Sequence, residues 1–324
     1  MRYRLGVDIG GTFTDIALIN ETTGQVHNGK VLSTPQDPSL GFIDAVERLV
    51  REHDVSPERV GYIVHATTVA TNAIIEGKVA ATGFITTEGF RDMLEIARQI
   101  RPELYNLQFE KPKALVPRHR CYGIAERLDA HGEVLVPLDE EGLRQAASEL
   151  KEAGVESLAV CFLHAYANPA HERRAGQVLA EVFPEVMVSL SSEVAPEFRE
   201  YVRASTTVIN GCIRPVVARY LQKIEERLQA AGFAAELLVM QSSGGVYTFA
   251  AAQKQPVYMV ESGPAAGVIA AAHLGQTLGY DKVISFDMGG TTAKAGLVQG
   301  GEPSVTKDYD CLLYTSDAAD DVIS

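Results

Sequence analysis

The sequence predicts an α/β protein in which mixed or parallel sheets are flanked by helices. Three observations carry that expectation. Short apolar strands alternate with amphipathic helical stretches along most of the chain. Apolar residues make up 46% and charged residues 22% of 324 residues, the balance of a globular chain long enough for two ordinary domains. One strand–turn–strand pattern also occurs twice, near each end of the chain.

Taken in order, Leu5–Ile9 and Asp15–Ile19 read as two strands around a Gly-Gly-Thr turn. A helix follows, with Asp37 as its cap, Pro38 at its first position and Leu40, Ile43, Val46 and Val50 at helical spacing. Tyr62–His65 and Gly83–Thr87 read as buried strands, with a short helix over Val69–Glu76 between them. Residues 101–137, rich in proline and turn formers, are expected to be irregular or a loosely paired β segment. Alternation then resumes with a helix over Glu140–Ala153, the strand Ser157–Leu163, a helix over Ala170–Val182 and the strand Val186–Leu190. A long amphipathic stretch over Pro196–Ala231 is expected to break or bend at Pro215. The strand Glu236–Gln241, a helix from Pro264 and the strand Val283–Phe286 complete the series.

The net charge of −13 argues against nonspecific binding to nucleic acid or to an anionic membrane surface, either of which needs a basic face. No apolar run reaches the roughly 18 residues of a membrane helix, and the N-terminus lacks a signal-peptide apolar stretch. Cys121, Cys161, Cys212 and Cys311 stand far apart without a Cys-x-x-Cys pair. Isolated, buried thiols suit a cytoplasmic protein better than a disulfide framework or a zinc site. His164 and His171, seven apart across a loop, are a minority reading for a metal site.

The repeat carries the chemistry. Asp8-Ile9-Gly10-Gly11-Thr12, followed by Leu18, recurs as Asp287-Met288-Gly289-Gly290-Thr291, followed by Leu297, at one offset of 279 residues (8 to 287, 18 to 297). Paired glycines let backbone N–H groups close on an oxyanion, and a threonine hydroxyl adds a donor. An acid at the end of the first strand repels phosphate, so Asp8 and Asp287 are assigned to Mg²⁺, directly or through water. A lone hairpin of this kind is more often only a tight turn. Two in the same context point to a phosphate grip.

These two hairpins resemble the phosphate-1 and phosphate-2 motifs of the actin, sugar kinase and Hsp70 superfamily, and Glu261-Ser262-Gly263-Pro264-Ala265-Ala266-Gly267 resembles its first connecting helix. The resemblance implies ribonuclease-H-like domains that clamp ATP. More closely, the chain is similar to the hydantoinase A and 5-oxoprolinase family from Leu5 to about Asp310. The similarity rests on Asp8–Asp15, His65–Ala73, Gly89–Asp92, Glu126-Arg127-Leu128-Asp129, Ser191–Glu197, Gln241–Gly245 and Asp287–Lys294.

The family resemblance implies an ATP-dependent hydrolase subunit that phosphorylates the carbonyl oxygen of a small cyclic amide before ring opening. A carboxylase β subunit or a catalytically inert ATP-binding fragment are the alternatives. Gly10, Gly11, Thr12 and Thr14, with Gly289, Gly290, Thr291 and Thr292, fall where phosphates of ATP are held. Asp8 and Asp287 fall where Mg²⁺ and its waters are organised. Glu261 either orients the attacking group or is a helix-start carboxylate favoured by the dipole. Thr67, Thr68, Thr71 and Asn72 line an acceptor pocket or satisfy a helix start. Lys294 could reach phosphate, but a solvated strand lysine is favoured. Ser243-Gly244-Gly245 is a donor turn or an ordinary one, and no Gly-x-Ser-x-Gly elbow is present. The family also implies a hydantoinase B type partner subunit.

Three regions are expected: 1–195 with the first hairpin, 196–310 with the connecting helix and second hairpin, and 311–324. The last stretch has no family counterpart and reads as foreign sequence joined to a partial gene. On that expectation the second domain is truncated and the fragment is inactive by itself.

Overall fold

The computed structural model describes residues 2–100, 105–108, 113–288 and 293–304. Gly289, Gly290, Thr291, Thr292 and the 311–324 tail therefore lie outside the described residues. The contacts divide the chain into two compact units, Met1–Glu76 with Val217–Ser324, and Gly77–Val216.

The first unit opens with three antiparallel strands, β1 (Tyr3–Ile9), β2 (Phe13–Asn20) and β3 (Val26–Leu32). Leu5, Val7 and Ile9 on β1, with Thr14, Ile16 and Leu18 on β2, are buried, as period-two alternation requires. β3 has no counterpart in the sequence expectation. It is an edge strand, and Val31 is its one buried residue. Helix α1 (Pro38–Glu52) starts as expected, with the Asp37 carboxylate accepting the Ser39 N–H at 3.3 Å and Pro38 in the first turn. It buries Phe42, Val46 and Leu49. β4 (Val60–Thr67) then lies parallel to β1 and runs into α2 (Val69–Ile75).

The second unit holds β5 (Thr82–Thr87), the single-turn α3 (Met93–Ile96) and β6 (Cys121–Ile124), then a small ribbon of β7 (Arg127–Leu128) and β8 (Val134–Val136). It continues through α4 (Glu140–Glu152), β9 (Ser157–Cys161), α5 (Ala170–Val182), β10 (Met187–Leu190) and α6 (Ser191–Val194). Its four-stranded sheet has the order β10-β9-β5-β6 and is parallel throughout. Both faces are covered. Ile85, Leu158 and Val160 pack with Leu143, Leu150 and Leu179, while Phe84, Ala159 and Cys161 pack with Ala204, Val208 and Cys212. Within the stretch expected to be irregular or a loosely paired β segment, β7 and β8 form the small ribbon, while Cys121–Ile124 is an integral strand of the main sheet, too short to show a period of its own.

Helix α7 (Glu200–Ala230) runs unbroken through Pro215. A proline inside a helix costs about 3 kcal/mol, and here Cys212, Ile213 and Val217 around it are wholly buried. Packing on both sides of the proline offsets the missing hydrogen bond.

The chain then returns to the first unit. β11 (Glu236–Met240) adds parallel to β4 and β12 (Val246–Thr248) pairs with it, giving the six-stranded order β12-β11-β4-β1-β2-β3. Ser243-Gly244-Gly245 forms the turn between them, where Gly244 at φ +92° supplies a backbone conformation that side chains disfavour. α8 (Phe249–Lys254) and α9 (Ser262–Leu278) lead to a second sheet of β13 (Lys282–Met288), β14 (Ala293–Gln299) and β15 (Glu302–Pro303). Ile284, Phe286 and Met288 alternate along β13 and are 73%, 67% and 71% exposed.

Among the described residues no helix is long and apolar enough to cross a membrane. Cys121, Cys161 and Cys212 are buried and unpaired.

Candidate functional site

The repeat seen in the sequence is a repeat in register. In the first hairpin Tyr3 faces Asn20, Leu5 faces Leu18 and Asp8 faces Asp15. In the second, Lys282 faces Gln299, Ile284 faces Leu297 and Asp287 faces Lys294. Every pair is displaced by the same 279 positions, so each aspartate stands at the same place on its first strand.

Between Ile9 and Phe13 the first turn is held from below. The Gly10 N–H bonds the Phe13 carbonyl at 3.0 Å, the Ser33 hydroxyl donates to the Gly10 carbonyl at 2.8 Å, and the Ser33 N–H donates to the Thr12 carbonyl at 2.9 Å. With those carbonyls tied to Ser33, Gly11 and Thr12 remain exposed. A side chain built on Gly11 would meet nothing within 4 Å, so there is room for a ligand to reach the backbone. Ser33 was not among the residues expected at the site. Its only sequence signal is a small hydroxyl residue just after an unrecognised edge strand.

Thr14 is a correction. The alternation along β2 points it inward, where it is fully buried and its hydroxyl lies 3.2 Å from Ser33 Oγ. It supports the turn from behind and has no surface for a phosphate.

Asp8 keeps contact with solvent, yet the protein crowds it. Its carboxyl is pushed up to about 6, first by desolvation, then by repulsion from Asp15 and Asp287. Lys30 on β3 pairs with Asp15 at 2.9 Å, and no such partner stands against Asp8 in that cross-strand row. Two carboxylates held within electrostatic reach beside an open glycine turn form a donor set that suits a hard divalent cation. Among the described residues no third acid, histidine or cysteine completes a cluster. Mg²⁺ commonly uses one or two carboxylates and takes its remaining ligands from water and phosphate, so Asp8 and Asp287 fit it.

Helix α9 delivers its first turn to the same place. Ser262 is fully buried, and its hydroxyl accepts the Thr67 N–H at 3.3 Å and donates to the Thr67 carbonyl at 3.1 Å. The Glu261 N–H donates to Thr71 Oγ1 at 3.2 Å, with Glu261 in the left-handed region at φ 64°. Gly263 comes so close to Asp8 that a Cβ there would lie 3.3 Å from its Oδ1. Thr67 and Thr71 are therefore buried and engaged in seating α9, whereas Thr68 and Asn72 are half-buried and joined to each other at 3.3 Å.

The Glu261 carboxylate forms an ion pair with Lys294, and both side chains are mostly buried. Lys294 is thus not the solvated strand lysine that its residue type suggested. The β13–β14 register brings it beside Asp287 and within reach of the start of α9.

Behind the turn lies a relay that sequence reasoning did not find. His65 is fully buried, with Nδ1 3.2 Å from the Val7 carbonyl and Nε2 2.7 Å from the Tyr220 hydroxyl. Only one tautomer serves both, with Nδ1–H donating to Val7 and Nε2 accepting from Tyr220. The Tyr220 oxygen is also bonded by Thr67. Burial drives the His65 imidazole down to about 4 and raises the Tyr220 phenol.

The six-stranded and three-stranded sheets flanked by helices, with paired glycine hairpins, define an actin-like ATPase fold. The chain belongs to the hydantoinase/oxoprolinase family: the profile of the hydantoinase/oxoprolinase N-terminal region matches residues 4–183, and the hydantoinase/oxoprolinase profile matches residues 203–319. Among relatives, the caprolactamase subunit alpha of Pseudomonas jessenii is 34% identical over 97% of this chain and 46% of its own length. The 5-oxoprolinase of Saccharomyces cerevisiae is 32% identical over 89% of this chain and 25% of its own. The nucleotide-free structure of acetone carboxylase superposes with a TM-score of 0.87 at 29% identity, covering 97% of this chain and 46% of that one. The chain thus spans less than half the length of these relatives.

Proposed function

We propose that this chain supplies the phosphate-gripping part of an ATP-dependent enzyme subunit that activates the carbonyl oxygen of a small cyclic amide for ring opening. The observation that carries the reading is the pair of hairpins in matched register, with Asp8 and Asp287 close enough to repel one another. Such a pair is suited to holding a polyphosphate and its cation between two turns.

On this reading the γ-phosphoryl passes to the amide oxygen as its bond to ADP breaks. Water then adds to the activated carbon, the C–N bond opens and phosphate leaves. The exposed backbone of Gly11 and Thr12, on a turn that Gly10 closes, receives phosphate oxygens, and by the sequence repeat the same role is proposed for Gly289, Gly290, Thr291 and Thr292. Asp8 and Asp287 would hold Mg²⁺, whose charge offsets that gathering on the phosphoryl oxygens. Glu261, fixed in direction by its backbone and by Lys294, orients the attacking group. Thr68 and Asn72 offer their partly exposed polar groups to the acceptor, and Thr67 and Thr71 keep α9 in place.

A carboxylase subunit that phosphorylates a ketone enol or bicarbonate would use the same grip, and the fold-level match to acetone carboxylase favours keeping it as the second reading. A hydantoinase B type subunit is the proposed partner.

Calorimetric titration with Mg²⁺–ATP tests the grip. Binding that is lost in both Asp8→Ala and Asp287→Ala supports it. ATP turnover in the full-length protein with its partner, stimulated by hydantoin, 5-oxoproline or caprolactam and not by acetone or bicarbonate, supports the amide. The reverse preference selects the carboxylase, and binding without turnover under any acceptor overturns both.

A further inference from the structure

The second unit carries a group of polar residues that the nucleotide reading does not use. Its sheet order, β10-β9-β5-β6, means that the chain leaves β5 toward β6 on one side and then crosses to β9 and β10 on the other. The switch point falls between β5 and β9, and in open parallel sheets ligands bind at the carboxyl ends of the strands beside such a point. Thr87 is the last residue of β5. Its hydroxyl accepts the Leu163 N–H from beyond β9 at 2.9 Å and donates to Glu126 Oε1, just past β6. The other carboxylate oxygen, Oε2, lies 2.7 Å from Nδ1 of His171 in the first turn of α5.

Most of this cluster is saturated. Glu172 is fully buried and accepts from the Phe162 N–H at 2.9 Å, the Ser191 hydroxyl at 2.5 Å and the Ser192 N–H at 2.7 Å. Arg203, also buried, donates to Ser191 Oγ and to the Glu197 and Phe162 carbonyls. His171 differs. It is 8% exposed, and its Nε2 takes no partner among the described residues, nor is it among the fully enclosed unpaired atoms. The other buried histidine, His65, has both ring nitrogens bonded. A histidine that only braces the fold has no need of an open nitrogen. With Nδ1–H held on a buried carboxylate, the Nε2 lone pair faces outward, the arrangement of an oriented general base.

We propose that Glu126 and His171 form a second site, a proton-accepting dyad at the carboxyl edge of the parallel sheet that takes a small cyclic amide. Nε2 accepts the proton of the amide N–H bond, whose electron pair stays on nitrogen, while Glu126 balances the imidazolium. The motif Glu126-Arg127-Leu128-Asp129, which has no part in the hairpins, gains a role through its first residue. The choice of ligand class rests on the amide reading, whereas the existence of the dyad does not.

The test is labelling of the folded 324-residue chain with diethyl pyrocarbonate, read residue by residue by mass spectrometry. The proposal expects His171 to be labelled at least tenfold faster than His65. It expects Glu126→Gln, or Glu126→Asp if the first variant fails to fold by circular dichroism, to slow that labelling at least fivefold. It expects hydantoin, 5-oxoproline or caprolactam to protect His171. An unlabelled His171, or a rate indifferent to both Glu126 variants, overturns the dyad. Labelling that follows Glu126 but is protected by none of the three amides overturns the ligand class. No ATP is present, so these outcomes are independent of whether the nucleotide reading fails.

Discussion

His65 Nε2 and the Tyr220 hydroxyl, 155 residues apart in the chain, meet at 2.7 Å beneath the strand that carries Asp8. The bond completes a path from Thr67 through Tyr220 and His65 to the Val7 carbonyl, next to Asp8. Tyr220→Phe removes the one donor that serves Nε2 in a site without water access. It should cost about 1–3 kcal/mol, the penalty for a buried polar atom left unpaired. Urea unfolding at neutral pH measures it.

The same histidine sets an acid limit. Its folded value is about 4 against an ordinary 6.5, so the unfolded chain binds a proton that the folded chain refuses. Its contribution is complete above about pH 6.5, falls as pH drops toward 4, and is constant below, a total of about 3 kcal/mol. Asp8 acts in the opposite sense, because its value rises from 3.8 to about 6 on folding and stability is lost as pH climbs through that range. The wild-type profile should therefore be flatter between pH 4 and 6 than that of Asp8→Asn, which lacks the opposing Asp8 slope. Unfolding midpoints across that window decide it.

At pH 7, Asp8→Asn should stabilise the ligand-free protein by about 1–2 kcal/mol, a figure reduced for screening at a solvent-accessible carboxyl. It should also abolish Mg²⁺–ATP binding. A rise in melting temperature together with loss of binding would identify Asp8 as a residue kept at a cost to stability.

Gly263→Ala separates packing from binding in another way. Alanine in a helix is favoured over glycine by about 1 kcal/mol, but its Cβ would stand 3.3 Å from Asp8 Oδ1. The carboxylate must shift by a few tenths of an ångström. Stability should be unchanged or higher, while Mg²⁺–ATP affinity falls at least tenfold by calorimetry.

Lys294→Met leaves the Glu261 carboxylate mostly buried without its cation. A loss of about 1–3 kcal/mol is expected, with the double variant Glu261→Gln/Lys294→Met less destabilised than Lys294→Met alone. A loss in the double variant equal to the sum of the losses in Lys294→Met and Glu261→Gln would show that the pair contributes no coupling.

Much of the first hairpin was legible in the sequence because strand period, glycine turn and acid occur twice at one offset. Thr14 shows where a motif misleads. Counting along Phe13, Thr14 and Asp15 gives the inward position, but the motif context suggested a ligand role. β3 was invisible because an edge strand with few buried residues carries no alternation, and Ser33 was missed with it. His65–Tyr220 and Glu261–Lys294 were beyond reach for a different reason: each joins elements far apart in sequence, and only the sheet register brings them together.

The exposed row Ile284, Phe286 and Met288 gives this molecule opposed colloidal tendencies. Three large apolar side chains side by side on one strand attract any similar surface, while a net charge of −13 keeps copies of the chain apart. Added salt shortens the range of that repulsion, to about 8 Å at physiological ionic strength, and strengthens rather than weakens apolar attraction. Purified material should therefore remain dispersed in dilute buffer and cluster as ionic strength rises, the reverse of a protein held in complexes by its charges.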